Sequence, residues 1–327
     1  MSARTPTISI VAPVYNEAAG IAAFHARLGP VAAGLGDVEI VYVDDGSTDG
    51  SWKELLAIGA DDPSVRLIRL SRNFGHQIAL TAGLEAARGR AVVTLDSDLQ
   101  DPPELIPELV SRWHGGYEVV HAVRTDRAGE RRWRLFAIGA YYRLLGRIAG
   151  TDIPAQSGDF RLFSRRALDA LGSMPERARY LRGMASWIGF HQTTVAYARD
   201  PRAAGGTKYP LRKLVHLGAD GILSFSTVPL KLVSILGGIL VVFCSAVLAW
   251  SLYTRLFTSH YPAGWTSVIA VVLLLGGVQL LSLGVIGQYV ARIFDEAKGR
   301  PLYFVAETVE PQRALEAAPD TERSPVT

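Results

Sequence analysis

The amino-acid sequence predicts an α/β domain on a mostly parallel sheet, joined to a two-helix hairpin long enough to cross a membrane. Two observations predict it. Residues 7–123 alternate apolar, strand-length runs with helix-period segments, the pattern of parallel strands linked by crossover helices. Further on, Leu232 to Thr254 and Tyr261 to Ala291 carry no charged residue over 23 and 31 positions. At about 1.5 Å per helical residue, either can cross a hydrocarbon core of roughly 30 Å.

Strands are expected at Ile8 to Ala12, Glu39 to Val43, Val65 to Leu70, Ala91 to Leu95 and Val119 to Val123. Helices are expected over Ala18 to Ala33, Ser51 to Ile58, Gln77 to Ala87 and Glu104 to Trp113. Pro102 and Pro103 open the last of these, because proline suits a first helical turn. Ligands of such folds bind outside the carboxyl ends of the strands, and the polar motifs fall there. Pro13-Val14-Tyr15-Asn16-Glu17 follows the first strand and Asp44-Asp45-Gly46-Ser47 the second. Ser71-Arg72-Asn73-Phe74-Gly75 follows the third, and Asp96-Ser97-Asp98-Leu99-Gln100 the fourth. Tyr15 can cover a base, while Glu17 and Asp45 can accept from ribose hydroxyls or a base N–H. The bland alternative for Asp44 to Gly50 is an acidic turn and helix cap. Asp96 and Asp98, one residue apart at a strand end, suit Mg²⁺ or Mn²⁺. Such ions take one or two carboxylates and share the rest of their shell with water and a diphosphate. The alternative there is a solvated acidic loop.

Several classes are excluded. The first strand is not followed by a Gly-x-Gly-x-x-Gly turn, and a P-loop is absent, so neither dehydrogenase nor kinase chemistry is supported. The seven histidines show no zinc-type pairing. Cys244 is the sole cysteine, which rules out an intrachain disulfide. Met1 to Thr7 lacks an apolar signal core, so the N-terminal part is expected in the cytoplasm.

Taken jointly, Pro-Val-Tyr-Asn-Glu at 13–17, Asp-Asp-Gly-Ser at 44–47 and Asp-Ser-Asp-Leu-Gln-Asp-Pro-Pro-Glu at 96–104 resemble the family 2 glycosyltransferases. More narrowly, the chain resembles the polyisoprenyl-phosphate glycosyltransferases, relatives of dolichol-phosphate mannose synthase. It is closest there to the bacterial type with two C-terminal membrane helices. The resemblance implies a GT-A fold (Rossmann-like), a nucleotide-sugar donor, a divalent metal (Mg²⁺ or Mn²⁺) and a polyprenyl phosphate acceptor. It admits a homo-oligomer. Carried onto this sequence, it puts the donor nucleotide on Pro13, Tyr15, Glu17, Val43, Asp44, Asp45, Asp96 and Ser97. It puts the metal on Asp96, Asp98 and Gln100, with Asp98, Asp159 and Arg124 as catalytic candidates.

Seven arginines, from Arg124 to Arg147, lie within 24 residues and alternate with aromatic and aliphatic side chains. This predicts an interfacial amphipathic helix over 131–148. Nucleic-acid binding is the competing reading, and the two apolar spans favour the membrane. Arg124 matches the family's phosphate-binding arginine, and Arg131 and Arg132 are further acceptor-phosphate candidates, because a guanidinium fork suits phosphate. Arg134, Arg143 and Arg147 suit anionic headgroups. Ser157 to Phe163 matches the family's acceptor-side segment, where Asp159 can act as a base, position the acceptor or cap local structure. Arg202-Ala203-Ala204-Gly205-Gly206-Thr207-Lys208 matches a lid pattern in which Arg202 and Lys208 close on the diphosphate.

The expected organisation is a cytoplasmic catalytic domain over 1–209 and a juxtamembrane helix over 210–228. Two transmembrane helices follow within 229–292, at about 230–254 and 265–291. The cytoplasmic tail over 293–327 is expected to be disordered from about residue 306. Basic flanks on both sides of the hairpin put both chain ends in the cytoplasm of a multi-pass protein of the inner (plasma) membrane. The implied reaction is inverting sugar transfer to the lipid phosphate, with UDP-glucose the favoured donor and GDP-mannose or a UDP-amino sugar the alternatives. Two rivals are a processive polysaccharide synthase, which needs a Gln-x-x-Arg-Trp motif that Gly129 breaks here, and a non-catalytic membrane scaffold.

Overall fold

The computed structural model describes residues 6–125, 157–177, 179–198, 228–257 and 264–311. The chain divides into two compact units, Met1–Tyr209 with Arg300–Thr327, and Pro210–Gly299.

The first unit is built on one eight-stranded sheet. Its strands are β1 (Ile8–Val14), β2 (Val38–Asp44), β3 (Val65–Leu70), β4 (Ala91–Thr94), β5 (Val119–Arg124), β6 (Ser157–Ser164), β7 (Gln192–Tyr197) and β8 (Val305–Val309). They lie in the order β7-β5-β6-β4-β1-β2-β3-β8. β1 pairs in parallel with β2 and β4, β2 with β3, and β5 with β7. Only β6 and β8 run the other way. β1 and β2 are buried at every residue, so they read as continuous apolar runs and not as alternating ones.

Helices pack on this sheet: α1 (Ile21–Leu35), α2 (Ser51–Asp61), α3 (His76–Ala86), α4 (Ile106–His114), α5 (Arg165–Gly172) and α6 (Leu181–Trp187). α1 buries Ile21, Phe24, Leu28 and Ala32, a stripe at helical spacing. Each large apolar side chain so buried contributes about 1.5–3 kcal/mol. α3 lies close on β1, because a Cβ at Gly83 would come within 2.3 Å of Val11 Cγ1. A 3₁₀ turn, Pro103–Leu105, precedes α4 and answers to the proline pair.

The tail departs from expectation. Residues 306–309 are not disordered but belong to β8, which extends the sheet along β3 from Leu67↔Val309 to Leu70↔Val305. Ser71 N donates to Phe304 O at 2.9 Å, Tyr303 Oη to Glu85 Oε2 at 2.7 Å, and Arg66 Nη2 to Glu310 Oε1 at 2.9 Å. The β3 edge offers unpaired backbone groups, and this segment satisfies them.

In the second unit α7 (Val228–Phe257) has 30 residues and α8 (Trp265–Ala297) has 33. The segments Leu232–Trp250 and Leu274–Ala297 have mean hydropathies of 2.6 and 1.5, so both helices are long and apolar enough to cross a membrane. α8 outlasts its uncharged stretch, since Arg292 and Asp295 continue the helix without breaking it.

Candidate active site

The loops after β1 and β2 are laced together. Asn16 N donates to Ser47 Oγ at 3.0 Å, Glu17 N to Ser51 Oγ at 2.8 Å and Ala18 N to Asp49 Oδ2 at 3.1 Å. Thr48 N returns a bond to Asn16 Oδ1 at 2.9 Å. This leaves Tyr15 46 % exposed above the sheet. Asp44 departs from the expected donor contact. It is fully buried, with Oδ1 accepting from Ser47 N at 3.1 Å and Oδ2 3.3 Å from Arg69 Nε, so it holds the turn. The bland reading of that turn therefore describes Asp44 and Asp49. Val43 is also fully buried, main chain included. Asp45 accepts from Phe74 N at 2.8 Å and Gly75 N at 3.0 Å, and so positions the loop after β3. Gly46 makes this approach possible: its φ is +67°, and a Cβ there would sit 2.4 Å from Arg72 C.

The loop after β4 is tied to β1 by Ser97 Oγ, which donates to Pro13 O at 2.8 Å. Asp98 Oδ1 accepts from Gln100 N at 3.1 Å, closing a local turn. Between them Leu99 adopts φ 59°, a left-handed conformation that costs a branched residue on the order of 1–3 kcal/mol. Asp96 Oδ1 is buried and accepts no hydrogen bond; His76 Nε2 stands 3.4 Å away. Burial pushes the Asp96 carboxyl up to about 6, with His76 opposing and the charges of Asp159, Asp101 and Asp98 adding to the rise. An unsatisfied buried oxygen beside Asp98 and the Gln100 amide is a hard-oxygen donor set that fits Mg²⁺ or Mn²⁺. Among the described residues no three His, Cys, Asp or Glu groups enclose an ion.

Asp159 shares that His76 nitrogen, which is 3.3 Å from Asp159 Oδ2. Its carboxylate accepts from Arg182 Nε at 3.0 Å and Nη2 at 2.9 Å, and from Gln77 Nε2 at 3.0 Å. Burial opposes its ionisation, but bonds from His76 and Arg182 and the charges of Arg182 and Arg161 outweigh it, holding Asp159 far below the usual carboxylate range. A carboxylate so held is a weak proton acceptor, which suits the positioning role among those expected of Asp159. Arg161, buried in mid-strand, donates to Gly158 O and Leu181 O. His76, Gln77, Arg161 and Arg182 were not singled out from sequence. The signal available was Gly75-His76-Gln77, a polar helix start at a strand's carboxyl end.

Arg124 is likewise clamped. Its Nη2 lies 3.2 Å from Asp101 Oδ2 and its Nε donates to Tyr197 Oη at 3.1 Å, while Tyr197 Oη also donates to Asp101. Asp101 is fully buried; in the sequence it falls inside the family motif at 96–104 with no expected role of its own. The expected acceptor residues Arg131 and Arg132, the helix over 131–148, the lid residues Arg202 and Lys208 and the juxtamembrane helix lie outside the described residues.

Known proteins resemble this chain in sequence and in fold. Residues 9–172 match the family model "Glycosyl transferase family 2". The chain is 48% identical over 301 residues to "Uncharacterized glycosyltransferase YkcC" of Bacillus subtilis (strain 168), covering 92% of this chain and 93% of that one. It is 37% identical over 307 residues to the "SfII prophage-derived bactoprenol glucosyl transferase" of Shigella flexneri, covering 92% and 98%. Among solved structures, glucosyl-3-phosphoglycerate synthase from Mycobacterium tuberculosis, in complex with Mn²⁺, UDP and phosphoglyceric acid, superposes with a TM-score of 0.51 at 26% identity, covering 67% and 76%. The parallel sheet, the strand-end carboxylates and these likenesses converge: the chain belongs to glycosyl transferase family 2 and is a glycosyltransferase.

Proposed function

We propose that this glycosyltransferase moves a hexosyl group, glucose in first place, from a UDP-sugar to the phosphate of a polyprenyl lipid at the cytoplasmic face of the inner membrane. The observation that carries this is the unsatisfied Asp96 carboxylate beside Asp98 at the carboxyl end of β4. The bactoprenol glucosyl transferase among the relatives supports the acceptor and the sugar, and the neighbour with Mn²⁺ and UDP supports the metal and the nucleotide. Asp96, Asp98 and the Gln100 amide oxygen would hold Mg²⁺ or Mn²⁺. When bound, the ion neutralises charge that gathers on the leaving diphosphate. Tyr15, Glu17 and Asp45 take the nucleoside, with Pro13 and Val43 as the buried strand ends beneath them. Arg202 and Lys208 close over the diphosphate, and Arg131 and Arg132 serve the acceptor.

The lipid's phosphate oxygen attacks the anomeric carbon from the face opposite UDP. The new bond joins that oxygen to the carbon, the bond to the donor diphosphate breaks, and UDP leaves with the electron pair, inverting the centre. The nucleophile is already largely ionised near pH 7, so a base is not required. Apolar helices α7 and α8, with basic flanks on the side of both chain ends, anchor the enzyme where that phosphate lies.

The test uses the full chain in lipid nanodiscs with labelled UDP-glucose, undecaprenyl phosphate and Mn²⁺. Label should enter the lipid phase, and NMR of the product should show the inverted anomer. A protein that binds UDP but makes no lipid-linked sugar from UDP-glucose, GDP-mannose or a UDP-amino sugar would sink the proposal.

A further inference from the structure

We infer that Arg182 is a ligand of the acceptor phosphate, and that Asp159 is the positioning residue that aims it. The inference rests on the function proposed above. An incoming phosphate monoester brings a charge of about −1.5 to −2. It must approach a region that already contains Asp96, Asp98, Asp101 and Asp159, so cations have to receive it. The structure contains two arginines of one design. Arg124 is held through Nε and Nη2 against Tyr197 and buried Asp101, with its side chain 26% exposed. Arg182 is held through the same two nitrogens against buried Asp159, with its side chain 32% exposed. A guanidinium carries five N–H donors in a rigid fork, and a carboxylate held against two of its nitrogens fixes its plane.

The location separates Arg182 from a merely structural arginine. Asp159, its clamp, is joined through His76 to Asp96, at 3.3 and 3.4 Å from the same Nε2. Arg182 therefore stands one carboxylate and one imidazole away from the group that marks the donor side. Arg161, also near Asp159 at 3.7 Å, is 1% exposed and spent on backbone carbonyls, which is what a structural arginine looks like here. Gln77 supports the arrangement from both sides, donating to Asp159 Oδ2 and accepting from Leu181 N at 3.1 Å at the start of α6.

The experiment compares Arg182→Gln and Arg182→Lys with the wild type, all as full chains in nanodiscs with UDP-glucose, undecaprenyl phosphate and Mn²⁺. Arg182→Gln should raise KM for the lipid phosphate about tenfold to a hundredfold, the loss of one charge-assisted contact, while calorimetric affinity for UDP with Mn²⁺ changes by less than about twofold. Arg182→Lys, which keeps the charge and loses the fork, should recover part of that loss. An unchanged acceptor KM, or a loss of UDP affinity as large as the rise in acceptor KM, overturns the inference. If Arg182→Gln does not fold, Arg182→Lys decides by the same two readings. A wild type that transfers to no polyprenyl phosphate overturns the functional proposal and this inference with it; wild-type turnover with an unmoved variant overturns the inference alone.

Discussion

Asp159 is a buried aspartate and Asp96 a partly buried one at the same end of the sheet, and both reach the Nε2 of His76, yet their surroundings differ. Asp159 is met by Arg182, Gln77 and His76 and stays ionised well below the usual range. Asp96 has a buried oxygen with no hydrogen bond and a carboxyl pushed up to about 6. The first has its counter-charge built into the chain. The second meets the imidazole it shares with Asp159 at 3.4 Å, and a cation arriving with the substrate would complete its counter-charge. Neighbours, not residue type, divide the roles.

The largest effect expected is at Asp98, the partner of Asp96. Asp98→Ala should cut turnover by about a thousandfold or more, and the thermal stabilisation given by Mn²⁺ with UDP should vanish. Substantial activity would break the contrast at its donor side. Asp96→Asn should also be inactive, yet more stable. The folded carboxyl binds its proton more tightly than the unfolded one (about 6 against 3.8), so wild-type stability falls as pH rises through that window. The fall is roughly 2–3 kcal/mol, complete above the folded value and absent below the unfolded one. With chelator present, the variant should therefore melt higher at pH 7.5 and match the wild type near the bottom of the window. Equal melting at both pH values would show that Asp96 is not electrostatically frustrated.

Asp159→Asn sharpens the other side. It keeps an acceptor oxygen for Arg182 but loses the charge, and should lower kcat/KM for the lipid by about tenfold to a hundredfold. The shape of the pH–rate profile should survive. Loss of a rising limb would restore the base role. The smallest effect is peripheral: Glu310→Ala removes a partly exposed partner of Arg66 and Arg88 and should cost roughly 1 kcal/mol in denaturant unfolding. It calibrates what an ion pair contributes outside the site.

The first five strands were legible because each is an apolar run between turn residues, and four of the expected helices because their apolar stripes are local. β6 was hidden by its charges: Asp159 and Arg161 lie in a central strand, where they approach each other and draw on Arg182, Gln77 and His76 from other elements. β8 was hidden because a polar edge strand resembles a tail until β3 supplies its other half. In the site, Asp96, Asp98 and Gln100 could be read together since one loop delivers them. Gln77 and Asp159 stand 82 residues apart, and Leu181 and Gln77 104 apart, so only folding brings that cluster together. Asp44 and Asp45 look equivalent in sequence; their hydrogen-bond partners tie one to its own turn and the other to the loop after β3.

β8 also sets a clock. It is encoded after the whole of Pro210–Gly299, although it completes the sheet that begins at Ile8. At the usual ribosomal pace of about 5–20 residues per second, those intervening residues delay the edge strand by roughly 5–20 s. Throughout that interval β3 presents an open edge, the kind of surface that recruits other strands. The sheet can close only on a chain whose two apolar helices have already been made, so translation order ties completion of the fold to completion of the helical hairpin.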